Sequence, residues 1–574
     1  MNVAVGTPLG AAQQRWVDST LATLSLREQV GQMVMMWILG DYTNVHDASY
    51  EQIVQWVTED RIGGVSMSLG SPIEVAVKLN DLQELVTVPL LVSADLEPSL
   101  GRLEGGVFLP YMLTGGSATV IPSNMAIGAT GDTTLAYRAG AVIGREARAL
   151  GIHLAFAPTV DVNSNPANPV INTRSFGEDP YAVARLSAAF VRGVQDQGVA
   201  ATPKHFPGHG DTDTDSHNAL PVVTSDRARL DSVELVPFEA AIAAGAATIM
   251  TAHIALPAVD PDSTPATLAP VIVTDLLRDS LGFEGVAVTD ALTMEAVGEG
   301  YPVERSTVLA VKAGADILLK PSDIPRAIDA VVAAVESGEI ARERIERSVR
   351  RVLELKARSG AAARPTVSLD VLRRIVGAPE HWAVAHEIAE RAITLVRDSA
   401  GLVPVAGAHD AFVVIYASDT DLEAGRTFIA ELGTLGLRVR SERIGPETFA
   451  ARLNSLALAA RDADRIIIAT NVRRFQGEGR NAIAPQVASW IDALAADAPV
   501  IVVANGNPYV IAQFPNVDTY ITTYGIGESL ERAAARALAG AAPIGGRTPI
   551  SLPGYFELSD GIQLTGGNEL SKGR

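Results

Sequence analysis

Residues 204–217 read Lys204-His205-Phe206-Pro207-Gly208-His209-Gly210-Asp211-Thr212-Asp213-Thr214-Asp215-Ser216-His217 and hold three of the chain's nine histidines with three aspartates. Asp215 precedes His217 by two. On a loop, that spacing lets a carboxylate accept from one ring nitrogen, fix the tautomer and leave the other nitrogen for proton transfer; a solvated loop histidine is the plainer alternative. Read together, His205, His209, Asp211, Asp213, Asp215 and His217 also have the donor types of a divalent-metal site, although their spacing matches no closed zinc site and the chain has no H-E-x-x-H helix. Asp290 ends the apolar run Val286-Ala287-Val288-Thr289. A carboxylate held by rigid backbone and partly desolvated suits a nucleophile or general base, and an Asp at such a junction equally suits a helix N-cap. Arg174, the sole cation of the polar stretch 163–180, suits fixed hydrogen bonding to several hydroxyls or a carboxylate; its alternative is a loop-stabilising ion pair.

These groups need elements to hold them. Apolar runs at 32–39, 63–68, 89–95, 153–158, 199–204, 247–253, 285–290 and 315–320 alternate with segments of helical periodicity. Val183, Leu186, Phe190 and Val194 form one such face, and Asp179-Pro180 ahead of them is a helix start. Non-alternating apolar strands in a βα repeat imply a parallel sheet covered on both faces, and eight units over this length predict a TIM (β/α)8 barrel, with a doubly wound open sheet as the competitor. Asp95, Asp161, Lys204-His205, His253 and Asp290 each fall at or just past the C-terminal end of a different predicted strand, the end where barrel active sites assemble.

A charged helix at 339–358 closes this first domain, predicted to span 1–358; residues 359–384 read as linker, with a helix expected at 386–396. The α/β pattern restarts at 411 with strands expected at 412–416, 465–470, 500–504 and 519–522, so 385–574 is read as an αβα sandwich. The 574 residues carry 47% hydrophobic and 20% charged side chains and a net charge of −20. That acidity argues against nucleic acid and anionic membrane as partners. Without cysteine, disulfides, thiolate catalysis and Cys-based zinc are excluded. No run reaches the ~20 apolar residues of a membrane span, and the first residues lack a signal-peptide pattern. The expected compartment is the cytoplasm, or the periplasm or exterior if a signal was removed.

Four pieces, taken in order, carry a family likeness: Asn172-Thr173-Arg174-Ser175-Phe176-Gly177; the 204–210 run with Asp215-Ser216-His217; Thr251-Ala252-His253; and Thr289-Asp290-Ala291-Leu292-Thr293-Met294. In them the chain resembles glycoside hydrolase family 3, in its β-N-acetylglucosaminidase (NagZ-like) branch, over roughly residues 24–355, with the second domain similar to the sandwich of two-domain members. The resemblance implies Asp290 as nucleophile, His217 as general acid/base and Asp215 as its orienting partner, with Asp95, Arg174, Lys204, His205, His253 and Met294 at the sugar. It implies double displacement with retention and neither metal nor cofactor. A β-glucosidase or β-xylosidase, or a phosphorolytic relative using phosphate in place of water, keeps the same fold. The family often shows D-x-E-G-G-R after its third strand. Here the sequence is Asp95-Leu96-Glu97-Pro98-Ser99-Leu100-Gly101-Arg102, so the aglycone side is expected to be reshaped, and a glycan-binding protein without turnover is a further alternative. The expected partner is a small glycoside or oligosaccharide; the oligomeric state is left open.

Overall fold

In the computed structural model the described residues are 3–97, 99–100, 118–363, 366–405, 410–472 and 482–566. Arg102, the Arg364-Pro365 pair and the stretch 473–477, considered as a loop that could reach the site, lie outside them.

Eight parallel strands make the first domain: β1 (Val34–Leu39), β2 (Gly64–Ser68), β3 (Leu91–Ala94), β4 (Leu154–Ala155), β5 (Ala200–Ala201), β6 (Thr248–Thr251), β7 (Val286–Thr289) and β8 (Leu318–Leu319). Pairing runs β5-β4-β3-β2-β1-β8, with β6 beside β7. Bridges Val288–Ile317 and Phe206–Thr251 join the two groups. The Phe206 N–H donates to the Met250 carbonyl and the Ile317 N–H to that of Ala287, so the ring is closed as a barrel. An open doubly wound sheet would leave two edges, and none remains.

The barrel is filled. Met35, Leu91, Leu154, Phe156, Ala200, Met250, Val286, Val288, Ile317 and Leu319 form one buried cluster inside the ring, with Val352 and Leu355 of the helix Arg342–Ser359. A packed interior leaves the strands' C-terminal ends as the face on which a site can be built. On the outer side, Val183, Leu186, Phe190 and Val194 are buried along the helix Pro180–Gln195 as their spacing predicts, and Asp179 caps that helix by accepting from the N–H groups of Tyr181 and Ala182, an interaction worth about 1 kcal/mol.

The stretch 359–384, expected as linker, is structured. It carries the helix Leu369–Ile375 and the first residues of Pro379–Ala392, and Leu372, Val384 and Ala385 pack into the barrel's outer core. The helix expected at 386–396 thus begins earlier and gives way to β9 (Thr394–Asp398). The sandwich sheet continues with β10 (Asp410–Tyr416), β11 (Arg438–Ile444), β12 (Arg465–Val472), β13 (Val500–Gly506) and β14 (Thr519–Thr522). Its order is β11-β10-β12-β13-β14-β9, with β9 antiparallel to β14. β11 escaped the sequence pattern because it is a charged edge strand, Arg438-Val439-Arg440-Ser441-Glu442-Arg443-Ile444, with only Ile444 buried.

Candidate active site

Asp290 leaves β7 at the barrel mouth. It does not cap a helix, since the next one, Glu295–Gly298, begins after Met294. Instead its Oδ1 accepts the Ala291 N–H at 2.7 Å. The turn that follows is tied to both neighbouring strands. The Leu292 N–H donates to the Leu319 carbonyl at 3.0 Å, and His253 Nε2 lies 3.0 Å from the Ala291 carbonyl. A carbonyl only accepts, so His253 carries its proton on Nε2. Burial lowers the pKa of this imidazole, and its Nδ1 lies 3.0 Å from Thr267 Oγ1, which also reaches the Ala252 carbonyl at 2.9 Å. Both ring nitrogens of His253 are therefore used in holding the Asp290–Ala291 turn. Met294 is buried, and its N–H closes the same turn onto the Ala291 carbonyl. Burial works against ionisation of Asp290, but the rings of His253, His205 and His217 in their charged forms, with the Ala291 N–H, outweigh it and hold its pKa below the ordinary carboxylate value.

The loop after β5 brings the second group. His217 Nδ1 lies 2.6 Å from Asp215 Oδ1, and the same oxygen accepts the His217 N–H at 2.9 Å. Asp215 is 3% exposed and His217 24%, so the carboxylate is inside and the ring reaches the mouth. His209 staples this segment to the loop's start. Its Nε2 is 3.1 Å from Ser216 Oγ and its Nδ1 2.7 Å from Thr212 Oγ1, and burial lowers its pKa to about 4, which leaves it neutral. Asn168 ties the loop to the 163–180 stretch by donating to the carbonyls of His209 and Gly210 at 2.8 and 3.0 Å.

The third group is a charged cluster. Glu97 Oε2 accepts Arg174 Nε–H and Glu97 Oε1 accepts Arg174 Nη2–H, each at 2.8 Å. Lys204 pairs with Glu97 and with Asp95, the latter at 3.0 Å. Asp161 Oδ2 lies 2.8 Å from His205 Nδ1, and its carboxylate also accepts the N–H groups of His205 and His209. With Nδ1–H donating to Asp161, His205 Nε2 is the acceptor for Arg174 Nη2 at 3.3 Å. Burial opposes the charge on Glu97, yet Arg174 and Lys204 hold its carboxyl well below the usual range. Asp95 stands apart as the open member, with its side chain 63% exposed. A small cavity behind this cluster is lined by Leu96, Ile121, Ile127, Ile143 and Phe190; it touches neither Asp290 nor His217.

Asp95, Arg174, Lys204 and His205 thus form one bonded network. Asp290, His253 and Met294 share one turn, and the His217 ring is near enough to act on Asp290 when it is charged. Two residues outside the expected set belong with them. Asp161 stood at a predicted strand end. Glu97 follows Asp95 by two in the turn that leaves β3. Among the described residues, no group of three or more His, Asp or Glu side chains is placed to hold a metal ion, and no helix is long and apolar enough to cross a membrane.

What such a mouth can do is hold hydroxyls between an open carboxylate and two cations. A 559-residue match, 33% identical, spans 93% of this chain and 95% of the β-N-acetylglucosaminidase/β-glucosidase of Cellulomonas fimi. The β-hexosaminidase LpqI of Mycobacterium tuberculosis is 32% identical over 62% of this chain and 88% of its own. Among solved structures, a glycoside hydrolase family 3 β-N-acetylglucosaminidase from Paenibacillus sp. superposes with a TM-score of 0.80 at 38% identity, covering 92% of this chain and 99% of that one. Residues 25–355 match the glycosyl hydrolase family 3 N terminal domain and 329–561 its C-terminal domain: the chain belongs to glycoside hydrolase family 3.

Proposed function

We propose that this enzyme is a retaining exo-β-N-acetylglucosaminidase that releases terminal GlcNAc from chitooligosaccharides or muropeptides. The observation that supports the reading is the Asp215–His217 pair on the loop after β5, near enough to act electrostatically on Asp290 at the end of β7. In this reading Asp290 attacks the anomeric carbon while protonated His217 gives its Nε2 proton to the departing oxygen. Water then loses a proton to His217 as it displaces Asp290. Retention follows from two successive inversions at one carbon. Asp215, buried behind the ring, fixes the tautomer and balances the imidazolium. Asp95, with the remaining N–H donors of Arg174 and Lys204, grips the non-reducing-end hydroxyls. Asp290→Ala should abolish turnover of an aryl β-GlcNAc; more than a few per cent of wild-type activity in a clean preparation would remove Asp290 from its role. The double name of the Cellulomonas fimi relative supports β-glucoside cleavage as a second reading. Aryl β-GlcNAc and aryl β-glucoside assayed side by side, with and without phosphate, separate the two and identify the acceptor.

A further inference from the structure

Glu97 has no assigned part in the chemistry above, yet its carboxylate is fully bonded at the mouth. Each of its oxygens has two partners: Oε2 accepts from Arg174 Nε at 2.8 Å and Thr159 Oγ1 at 2.7 Å, and Oε1 from Arg174 Nη2 at 2.8 Å and from Lys204. A carboxylate offers about four lone-pair positions, so all of them are occupied by protein and Glu97 has none left for a substrate. Its side chain is 12% exposed. The donors of its partners can be counted in the same way. Of the five N–H groups of Arg174, two serve Glu97, one His205 and one the Val170 carbonyl. Of the three on Lys204, one serves Glu97 and one Asp95. Counting the described residues, each cation is left with a single donor.

We propose that Glu97 is a positioning residue: its carboxylate fixes Arg174 and Lys204 so that one N–H of each, with the Asp95 carboxylate, forms the clamp for a pair of adjacent sugar hydroxyls. The proposal rests on the glycosidase reading for its substrate. It has a consequence that plain scaffolding lacks. Burial alone lowers the pKa of Lys204, and the charges of Glu97 and Asp95 reverse this and raise it, against the repulsion of Arg174. Asp95, Glu97, Arg174 and the adjacent His205 are the charged or titratable groups facing that ammonium. Remove the Glu97 charge, and Lys204 is left buried beside Arg174 with an exposed Asp95 as its counter-ion. It then sheds its proton at lower pH, and the clamp loses a donor as pH rises through that value.

The test is the pH profile of kcat and KM for an aryl β-GlcNAc with wild type, Glu97→Gln and the double variant Glu97→Gln/Lys204→Gln. In Glu97→Gln, KM should rise about tenfold or more with a smaller fall in kcat. On top of the alkaline limb that His217 sets, KM in Glu97→Gln should climb further as pH passes the lowered lysine value, and the double variant should lose that additional climb. The lysine's own titration, followed by NMR of side-chain-labelled lysine, should move down in Glu97→Gln whether or not the substrate is turned over. Unshifted lysine titration overturns the proposal, as does a uniform loss at every pH in a folded variant. A wild type that cleaves no β-GlcNAc overturns the assigned substrate instead, and the NMR result still decides the role of Glu97.

Discussion

A histidine that delivers a proton is only as useful as the group behind it. Asp215 bonds both the ring and the main-chain N–H of His217 through one oxygen, so it sets the ring's tautomer and its aim together. Asp215→Asn keeps the shape but puts an N–H donor where an acceptor is needed. General acid/base assistance contributes roughly 10²–10⁴-fold. The variant should lose a large part of that on a poor leaving group such as an alkyl β-GlcNAc, and much less on a dinitrophenyl glycoside that leaves unassisted. Equal losses on both substrates would remove the proton-delivery role. Asp290, His217 and the Lys204 loop were singled out by residue type and spacing. Asp161 stood out only as a residue at a predicted strand end and Glu97 not at all, because an acid whose partners come from distant loops looks like any other acid in a one-dimensional string.

Loops carry most of this chemistry, and they are held by packing. Gly210 lies so close to the 161–163 turn that a Cβ on it would sit 1.7 Å from the Val162 carbonyl oxygen. Gly208 has φ +132°, and a Cβ there would meet Glu234 Cβ at 2.7 Å. Gly210→Ala has no flexible neighbour to displace, only backbone. Overpacking of this kind costs about 1–3 kcal/mol, and relief by loop movement would draw His209, and with it Ser216 and His217, out of place. Expected outcomes are a melting temperature several degrees lower and at least a tenfold fall in kcat/KM; a variant with wild-type values of both would show that the loop's seat is not what aims His217. The same loop explains the observed shortness of β4 and β5. Regular pairing stops where the chain turns toward the mouth, and only isolated bridges such as Thr159–Lys204 continue it.

Across the whole molecule, the sandwich domain braces the stretch that delivers Arg174. Asn163 Nδ2 donates to Tyr509 Oη at 2.8 Å and Asn172 Nδ2 to Asn507 Oδ1 at 3.3 Å. The Glu178 N–H reaches the Pro549 carbonyl at 2.9 Å, and the Glu178 carboxylate accepts the Ser551 N–H at 2.8 Å. Asn507→Ala and Tyr509→Phe each remove one such brace. A hydrogen bond worth about 1 kcal/mol is roughly a fivefold change in an equilibrium, so KM should rise several-fold, with kcat much less affected. KM unchanged in both variants, and in the pair combined, would mean that the 163–178 stretch holds its shape without the second domain.

By itself the sequence determined the eight-unit βα repeat, the faces its helices bury, the strand ends that carry the chemistry and the family motifs, because periodicity and local spacing are properties of neighbours along the chain. Closure of the sheet into a ring was decided only by the tertiary structure, as were the pairing of Glu97 with two cations, the engagement of both His253 nitrogens and the bracing of Arg174 from a second domain. Those depend on groups tens to hundreds of residues apart in the chain meeting at hydrogen-bonding distance, and no local pattern encodes where such partners will come from.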